Sequence, residues 1–116
     1  MNNFEALVKG VRQDGVITYY ERVSSADFGV DEEFSTAFML GLELNACWQM
    51  VMSADSFREF ERDVADYDEC VDNINKLFGA PVVKKMVTTR SDAVTLTNPE
   101  TGEEQPAEFF ADVIRK

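Results

Sequence analysis

The residues of this chain that could do chemistry are 22 carboxylates and two cysteines, with no histidine to act beside them. A thiol or hydroxyl nucleophile usually needs a neighbouring base, most often an imidazole, to activate it. The sequence contains neither a serine in a nucleophile elbow nor a glycine-rich phosphate loop. Carboxylate pairs can transfer protons, but nothing in the sequence marks a pocket that would select two of them. We therefore expect that the protein is not an enzyme.

The spacing of these residues does not indicate a metal site or a redox site either. Cys47 and Cys70 lie far apart and outside any Cys-x-x-Cys pair, so a zinc site is not expected. The acidic stretch from Asp66 lacks the glycine that an EF-hand needs at its sixth position, which is Val71 here. We predict no cofactor, no bound metal and two reduced, mostly buried thiols. A disulfide between the cysteines would require their helices to pack together.

Hydropathy predicts a cytoplasmic protein with one central helix. Residues 1–10 lack the basic start and the continuous apolar block of a secretory signal. The longest apolar run, Ala37 to Met52, is interrupted by three polar residues and is too short to span a membrane. Such a run is typical of a helix that is buried on almost every side. Gly41 lowers its helix propensity, and close approach by another backbone would compensate for this.

An antiparallel pair of long helices is the main structural prediction. The first helix is expected at about residues 32–52 and the second at about 55–78, with Gly79 as its C-terminal stop. Ser53 or Asp55 is the expected N-terminal cap of the second helix. Because the connection is so short, the two helices should be antiparallel neighbours.

The second helix carries a regular apolar seam. Its apolar residues are spaced alternately by three and four, as in the a and d positions of a coiled coil. They are Phe57, Phe60, Val64, Tyr67, Val71, Ile74 and Phe78. Acidic or neutral residues flank the seam on both sides, which disfavours pairing of two identical chains through it. We expect the first long helix to cover this seam, and we keep self-association through it as the alternative.

The flanking elements complete an α+β fold in a single domain, residues 1–116. A short helix is expected from Phe4 to Val11 with Asn2 or Asn3 as its cap, and residues 16–23 fit a strand better than a helix. Further predictions are a small antiparallel β-hairpin within about residues 82–97, an acidic loop at 98–106, and a closing helix that begins at Pro106. The hairpin and the short terminal helices should pack on the helical pair.

The charge of the chain indicates the kind of partner it would attract. Eleven basic residues against 22 acidic ones give a net charge of −11, which repels nucleic acid and anionic membranes and attracts basic proteins. Solubility alone is the plainer explanation of such a charge. Residues 80–97 are the exception, because Lys84, Lys85 and Arg90 outweigh Asp92 there and give +2. The sequence assigns no role to this basic segment.

The second long helix has the densest acidic surface. Seven acids occur in the 14 residues from Glu59 to Asp72, which is one carboxylate per roughly 3 Å of helix axis. One DNA strand carries a phosphate about every 3.4 Å, although the helical acids divide into two sparser rows. The candidate partner-binding residues are Glu59, Asp63, Asp66, Asp68 and Asp72, followed by Glu100, Glu103 and Glu104 in the acidic loop.

These carboxylates lead to two functional hypotheses. In the first, the protein is a non-enzymatic acidic module, monomeric or dimeric, that occupies the basic, nucleic-acid-binding surface of a larger protein. Its size and charge resemble those of small viral or mobile-element inhibitors that mimic nucleic acid. In the second, it is a structural protein that self-associates through the apolar seam of residues 57–78.

Overall fold

The computed structural model describes residues 2–12, 35–86 and 94–106. These ranges contain three helices and one small antiparallel sheet, which agrees with the predicted α+β class. The elements are α1 (Asn3–Val11), α2 (Ser35–Ser53), α3 (Phe57–Phe78), β1 (Thr95–Thr97) and β2 (Glu104–Pro106). None of the helices in the described ranges is long and apolar enough to cross a membrane. The predicted strand at 16–23 and the body of the predicted closing helix lie outside the described residues.

Helix α1 begins with a reciprocal cap at Asn2, which is one of the two predicted cap residues. The Glu5 N–H donates to Asn2 Oδ1 at 2.8 Å, and the Asn2 N–H donates to a carboxylate oxygen of Glu5 at 2.9 Å. Two backbone donors that the first turn cannot satisfy are thereby paired. The helix buries Phe4, Leu7 and Val11 against the rest of the core.

Helices α1 and α2 meet backbone to backbone at two glycines. A Cβ atom on Gly41 would collide with the Leu7 carbonyl oxygen and lie 2.9 Å from the Val11 nitrogen, and one on Gly10 would collide with the Phe38 carbonyl oxygen. The expected close approach at Gly41 is therefore confirmed. Glycine destabilises a helix by about 1 kcal/mol relative to alanine, but no larger residue would permit this contact.

Two of the polar residues in the apolar helix α2 complete the same interface. Asn45 Nδ2 donates to the Val11 carbonyl at 2.9 Å, and Gln49 Nε2 donates to Asn45 Oδ1 at 2.6 Å. Val11 is the last residue of α1, so no N–H group within the helix donates to its carbonyl. Asn45 is thus a cap for α1 that is supplied by its neighbour, which explains an amide in the middle of an apolar helix.

Three residues connect α2 to α3, and the two helices are antiparallel. Cys70 in the second half of α3 places its Sγ 3.6 Å from the carbonyl oxygen of Leu40, near the start of α2. The cap of α3 is Ser56, whose Oγ accepts from the Glu59 N–H at 3.1 Å, rather than the predicted Ser53 or Asp55. Gly79 ends the helix with φ 64°, a left-handed conformation that favours glycine, as expected.

The seam of α3 is covered within the chain from its second residue onward. Four of its residues, Val64, Tyr67, Val71 and Ile74, are buried, and Phe60 and Phe78 are half-buried against the core. The ring of Phe78 meets that of Phe4 edge to face at 6.5 Å, so α1 shares the seam with α2. Phe57 is the exception, because it is 73% exposed and stacks only on Phe60 among the described aromatic rings.

The β-hairpin lies further along the chain than predicted. Strands β1 and β2 pair Thr95 with Pro106, Leu96 with Gln105 and Thr97 with Glu104, so the acidic stretch forms the hairpin loop. Residues 82–86 form no strand because the N–H groups of Val82 and Val83 donate to a side chain of α3 instead of to a strand. Pro106 ends β2 rather than beginning a helix, a position at a sheet edge that proline tolerates.

Candidate functional site

Four of the five helical acids predicted to bind a partner are either paired within the chain or buried. Glu59 accepts from the Asp55 N–H at 3.1 Å and stabilises the start of α3. Asp68 accepts from the Met86 N–H at 2.7 Å. Asp72 forms an ion pair with Lys85 at 3.4 Å. Asp68 and Asp72 therefore attach residues 85 and 86 to α3, and only Asp66 of the predicted helical set is an exposed carboxylate without a partner in the described residues.

Asp63 is buried rather than presented to solvent. Its side chain is 5% exposed, and Arg62 Nε lies 3.5 Å from its Oδ1. Burial raises the pKa of the Asp63 carboxyl, Arg62 opposes this rise, and the nearby charges of Asp66 and Glu59 add to it. A carboxylate in this position cannot contact a docking protein without first leaving the core.

A groove between α2 and α3 brings Asp66, a predicted partner-binding residue, together with two carboxylates that the sequence analysis did not select. Glu43 of α2 and the exposed Asp66 and Glu69 of α3 line it, together with both cysteines, around a volume of about 260 Å³. The predicted antiparallel pairing of the two long helices could have indicated this cluster, because it places residue 43 opposite residues 66–70. Among the described residues, no three His, Cys, Asp or Glu side chains are placed to hold a metal ion.

The thiols in this groove are free, as predicted, and are poor nucleophiles. Burial, with a smaller contribution from the charges of Glu43, Asp66, Asp63 and Glu69, raises the pKa of Cys47 to about 12. Burial raises the pKa of Cys70 as well, with Glu43 as the next contributor. Because the thiolate is the reactive form, both groups stay in their unreactive state at neutral pH.

The loop between β1 and β2 is an acidic turn with a fixed backbone. Gly102 N–H donates to the Asn98 carbonyl and Asn98 N–H to the Glu103 carbonyl, both at 2.8 Å. The Asn98 side chain accepts from the Glu100 N–H at 2.9 Å, and Thr101 Oγ1 accepts from the Glu103 N–H at 3.1 Å. Glu100, Glu103 and Glu104 are all exposed, so this predicted secondary site does present its three carboxylates to solvent.

A cavity of about 460 Å³ lies between α3 and the hairpin, and the sequence analysis did not predict it. Its walls come from α3, from residues 81–86, from β1 with the residue before it, and from β2. The lining residues are Tyr67, Pro81, Val82, Lys84, Lys85, Met86, Val94, Thr95, Thr97 and Glu104. This volume is within the range of small-molecule pockets, about 300–1,000 Å³.

Hydrogen bonds attach the walls of this cavity to one another and fix their relative positions. Asn75 of α3 accepts from the N–H groups of Val82 and Val83 at 2.9 and 3.1 Å and donates to the Val83 carbonyl at 2.9 Å. Thr97 N–H donates to the Val82 carbonyl at 2.9 Å, which attaches β1 to the same segment. The space is therefore bordered both by these hydrogen bonds and by buried apolar residues of the core, Val82, Met86 and Val94.

Tyr67 lines the cavity with a side chain that is fully buried. Its hydroxyl group has no hydrogen-bond partner among the described residues, which costs on the order of 1–3 kcal/mol for a buried polar group. Burial raises the pKa of this hydroxyl, and the neighbouring Cys70, Asp68 and Cys47 raise it further. It is thus a protonated hydrogen-bond donor at neutral pH. A tyrosine among the otherwise apolar residues of the α3 seam was the available sequence signal.

Comparison with protein-family models, with curated proteins and with solved structures found no match for this chain. Two features of the described residues remain as candidate sites. One is the exposed acidic loop at residues 98–103 with the neighbouring Glu104, and the other is the clamped cavity beside Tyr67.

Proposed function

We propose that the protein is a non-enzymatic binding module that presents carboxylates to a basic surface of a larger protein. The observation that supports this most is the hydrogen-bonded acidic loop, which exposes Glu100 and Glu103 on a fixed backbone. A binding loop that is already ordered loses less conformational entropy on association, so more of its contact energy remains as affinity. The net charge of −11 would accelerate the encounter with a basic partner.

The helical acids contribute to this proposal in a different way from the loop. Asp68, Asp72 and Glu59 have partners within the chain, and Asp63 is buried. The continuous row of charges that would imitate a nucleic-acid strand is therefore interrupted along α3. Asp66 and Glu69 remain exposed and form a second, smaller acidic surface with Glu43.

The narrower form of the proposal is that the basic target surface binds nucleic acid and that the module inhibits it by occupying that surface. The charge of the chain supports this form. If it is right, a DNA duplex must compete with the module for the same partner. Competition must also weaken steeply with salt, because both ligands neutralise the same lysines and arginines.

Two charge-reversal variants with the same net charge test the proposal. The loop variant carries Glu100→Lys and Glu103→Lys, and the helix variant carries Asp66→Lys and Glu69→Lys. The partner would be captured from the native host with the unmodified protein, purified, and titrated with all three proteins at several salt concentrations. We expect the loop variant to bind at least tenfold more weakly and with a flatter salt dependence, and the helix variant to lose less than threefold.

The matched design separates a site from a general charge effect. Equal losses in both variants would mean that net charge alone drives association. Unchanged affinity in the loop variant would reject the proposed binding surface. Glu104 stays unaltered in both variants because it also lines the cavity, so that the outcome concerns the loop only.

Assembly through α3 is a second candidate function, and the exposure of Phe57 favours it. Phe57 is 73% exposed at the free end of the seam, with Arg58 and Glu61 also exposed beside it. The other seam residues are covered within the chain, so an interface here would be centred on one aromatic side chain. Light scattering over a dilution series of the unmodified protein and of Phe57→Ser tests this. A monomer at all concentrations would exclude assembly, and a dimer that Phe57→Ser abolishes would establish it.

A further inference from the structure

We infer that the clamped cavity beside Tyr67 is a binding site for a small organic anion with an apolar body. This inference goes beyond the protein-binding role and does not depend on it. It rests on four observations: the volume of the cavity, the fixed position of its walls, the distribution of apolar and cationic groups along them, and a buried donor without an acceptor.

The lining of the cavity determines the class of ligand. Pro81, Val82, Met86 and Val94 supply apolar surface, and three of these four side chains are buried. Lys84 and Lys85 are exposed and contribute two cationic groups to the same cavity, and Glu104 contributes one carboxylate. Lys85 is paired with Asp72, whereas Lys84 has no ion-pair partner among the described residues. An apolar body with one anionic group matches this combination, and it gives a role to the basic segment that stands out in an acidic chain.

The walls are fixed before any ligand binds. Asn75 holds residues 82 and 83 on α3, Asp68 holds Met86, and Thr97 attaches β1 to Val82. Each contact joins two different walls, so a change in their relative positions would break hydrogen bonds of buried or half-buried backbone groups. A cavity that is kept open in this way is preorganised, which favours binding because little has to be ordered when the ligand enters.

Tyr67 adds a specific polar requirement. A buried tyrosine hydroxyl normally finds an acceptor, and this one has none among the described residues. Because burial raises its pKa, the Tyr67 hydroxyl keeps its proton at neutral pH and can donate it in a hydrogen bond. A ligand oxygen placed against Tyr67 would supply the missing acceptor. The anion is therefore expected to carry its oxygen atoms where both the hydroxyl and Lys84 can approach them.

The probe for this site is 2-naphthoate, with 2-naphthamide as a neutral analogue of the same shape. Titration of the isotopically labelled full chain by NMR would report both affinity and location. We expect shifts concentrated at the amides of Val83, Met86, Thr95 and Thr97, and weaker binding of the amide by about fivefold. Shifts spread over the surface, or no binding up to the solubility limit of the probe, would overturn the inference.

Three variants assign the binding to named groups. Lys84→Gln should weaken 2-naphthoate binding by about fivefold and leave 2-naphthamide unaffected, because only the first has a charge to lose. Tyr67→Phe should weaken both probes by about fivefold to tenfold, because it removes the donor and keeps the ring. Lys76→Gln, an exposed lysine of α3 outside the cavity, is the matched control and should change neither affinity.

The variants also guard against a structural explanation. Tyr67→Phe removes a hydroxyl that has no partner, so its thermal midpoint should equal or exceed that of the unmodified protein. If Tyr67→Phe were unstable, the comparison of Lys84→Gln with the two probes would still decide the question, since Lys84 is at the surface. Equal effects of Lys84→Gln and Lys76→Gln, or full affinity in a stable Tyr67→Phe, would refute the site.

Discussion

Two interfaces of this protein are held together in opposite ways. One lies between α1 and α2, and the other lies between α3 and the hairpin with residues 82–86. At the first, Gly10 and Gly41 carry no side chains, so the two backbones touch. At the second, Asn75 and Asp68 hold residues 82–86 on α3 through backbone hydrogen bonds, and a cavity of about 460 Å³ remains. Close packing stabilises the first interface, and directional polar contacts define the second.

This difference indicates where function should be sought. A contact between two backbones tolerates almost no change and leaves no space for another molecule. An interface that is held by a few hydrogen bonds can keep a cavity open, at the expense of apolar burial. The same polar side chains that a sequence analysis assigns to a partner surface, Asp68 and Asp72, frame that cavity instead.

The largest expected effect is that of Gly41→Ala at the α1–α2 contact. The new methyl group would meet the Leu7 carbonyl, a backbone atom that cannot move alone, so we expect a loss of about 3 kcal/mol in the free energy of unfolding. Urea denaturation measures it. In a helix without this contact the same change would stabilise the protein by about 1 kcal/mol, so the sign of the effect decides whether the backbones touch.

Gly79→Ala is the control for that prediction, because Gly79 has open space around it and a left-handed backbone, φ 64°. Its loss should be about 1–2 kcal/mol, from backbone strain alone. Two equal losses would show that conformation, and not space, explains both glycines.

The second largest effect should come from Asn75→Ala at the cavity layer. Three hydrogen bonds to Val82 and Val83 are lost, so we expect the free energy of unfolding to fall by about 2 kcal/mol. Hydrogen exchange at these two amides should accelerate more than at the amides of α1. Asn73→Ala, an exposed position on the same helix, should change stability by less than about 0.5 kcal/mol.

If Asn73→Ala and Asn75→Ala were equally harmless, residues 82–86 would not be held by α3. In that case the hydrogen bonds that frame the cavity would contribute nothing to stability, and the contrast between the two interfaces would disappear.

Several features of the helices are predicted from the sequence because their signals are local, although the cap of α3 is Ser56 and not Ser53 or Asp55. The Asn2 cap, the stop at Gly79 and the seam periodicity each depend on a few neighbouring residues, and the close approach at Gly41 follows from a single helix-interior glycine. The hairpin was misplaced because residues 82–86 have the composition of a strand while their hydrogen-bond partner is Asn75 of α3. The periodicity of residues 82–86 cannot show that their N–H groups donate to a side chain of another element.

The candidate sites were harder to predict for a related reason. A row of acids on a helix is visible in the sequence, but the use of each carboxylate depends on which backbone amide reaches it. Asp68 and Asp72 were predicted to bind a partner, and their contacts are with Met86 and Lys85 of the same chain. The cavity combines residues from four separate stretches of the chain, so no local pattern announces it.

A smaller effect is expected from Asp63→Asn, and it should depend on pH. Burial raises the pKa of Asp63 above the ordinary value of 3.8, so the folded state holds this proton more tightly than the unfolded state does. The contribution of Asp63 to stability is therefore full below pH 3.8 and falls as the pH rises through the raised pKa. At pH 7 the neutral amide should be more stable by on the order of 1 kcal/mol, and at pH 3 the two proteins should be equal.

Denaturation at several pH values tests this, with Asp66→Asn as the control on the exposed side of the same helix. That control should shift stability by less than about 0.5 kcal/mol throughout. A loss of stability in Asp63→Asn at pH 7 would mean that its contact with Arg62 outweighs the penalty of burial.

The smallest effect is expected at the ion pair between Asp72 and Lys85, which joins the same two walls as Asn75. The two side chains are 60% and 50% exposed, so water screens their attraction. A double-mutant cycle with Asp72→Asn and Lys85→Gln should give a coupling energy below about 0.5 kcal/mol, decreasing with added salt. Asn75 should then outweigh the ion pair severalfold although it has no charge. A coupling energy above about 1 kcal/mol would instead show that the ion pair stabilises the position of residues 82–86 on α3. The carboxylates of α3 would then contribute to the fold as well as to solubility.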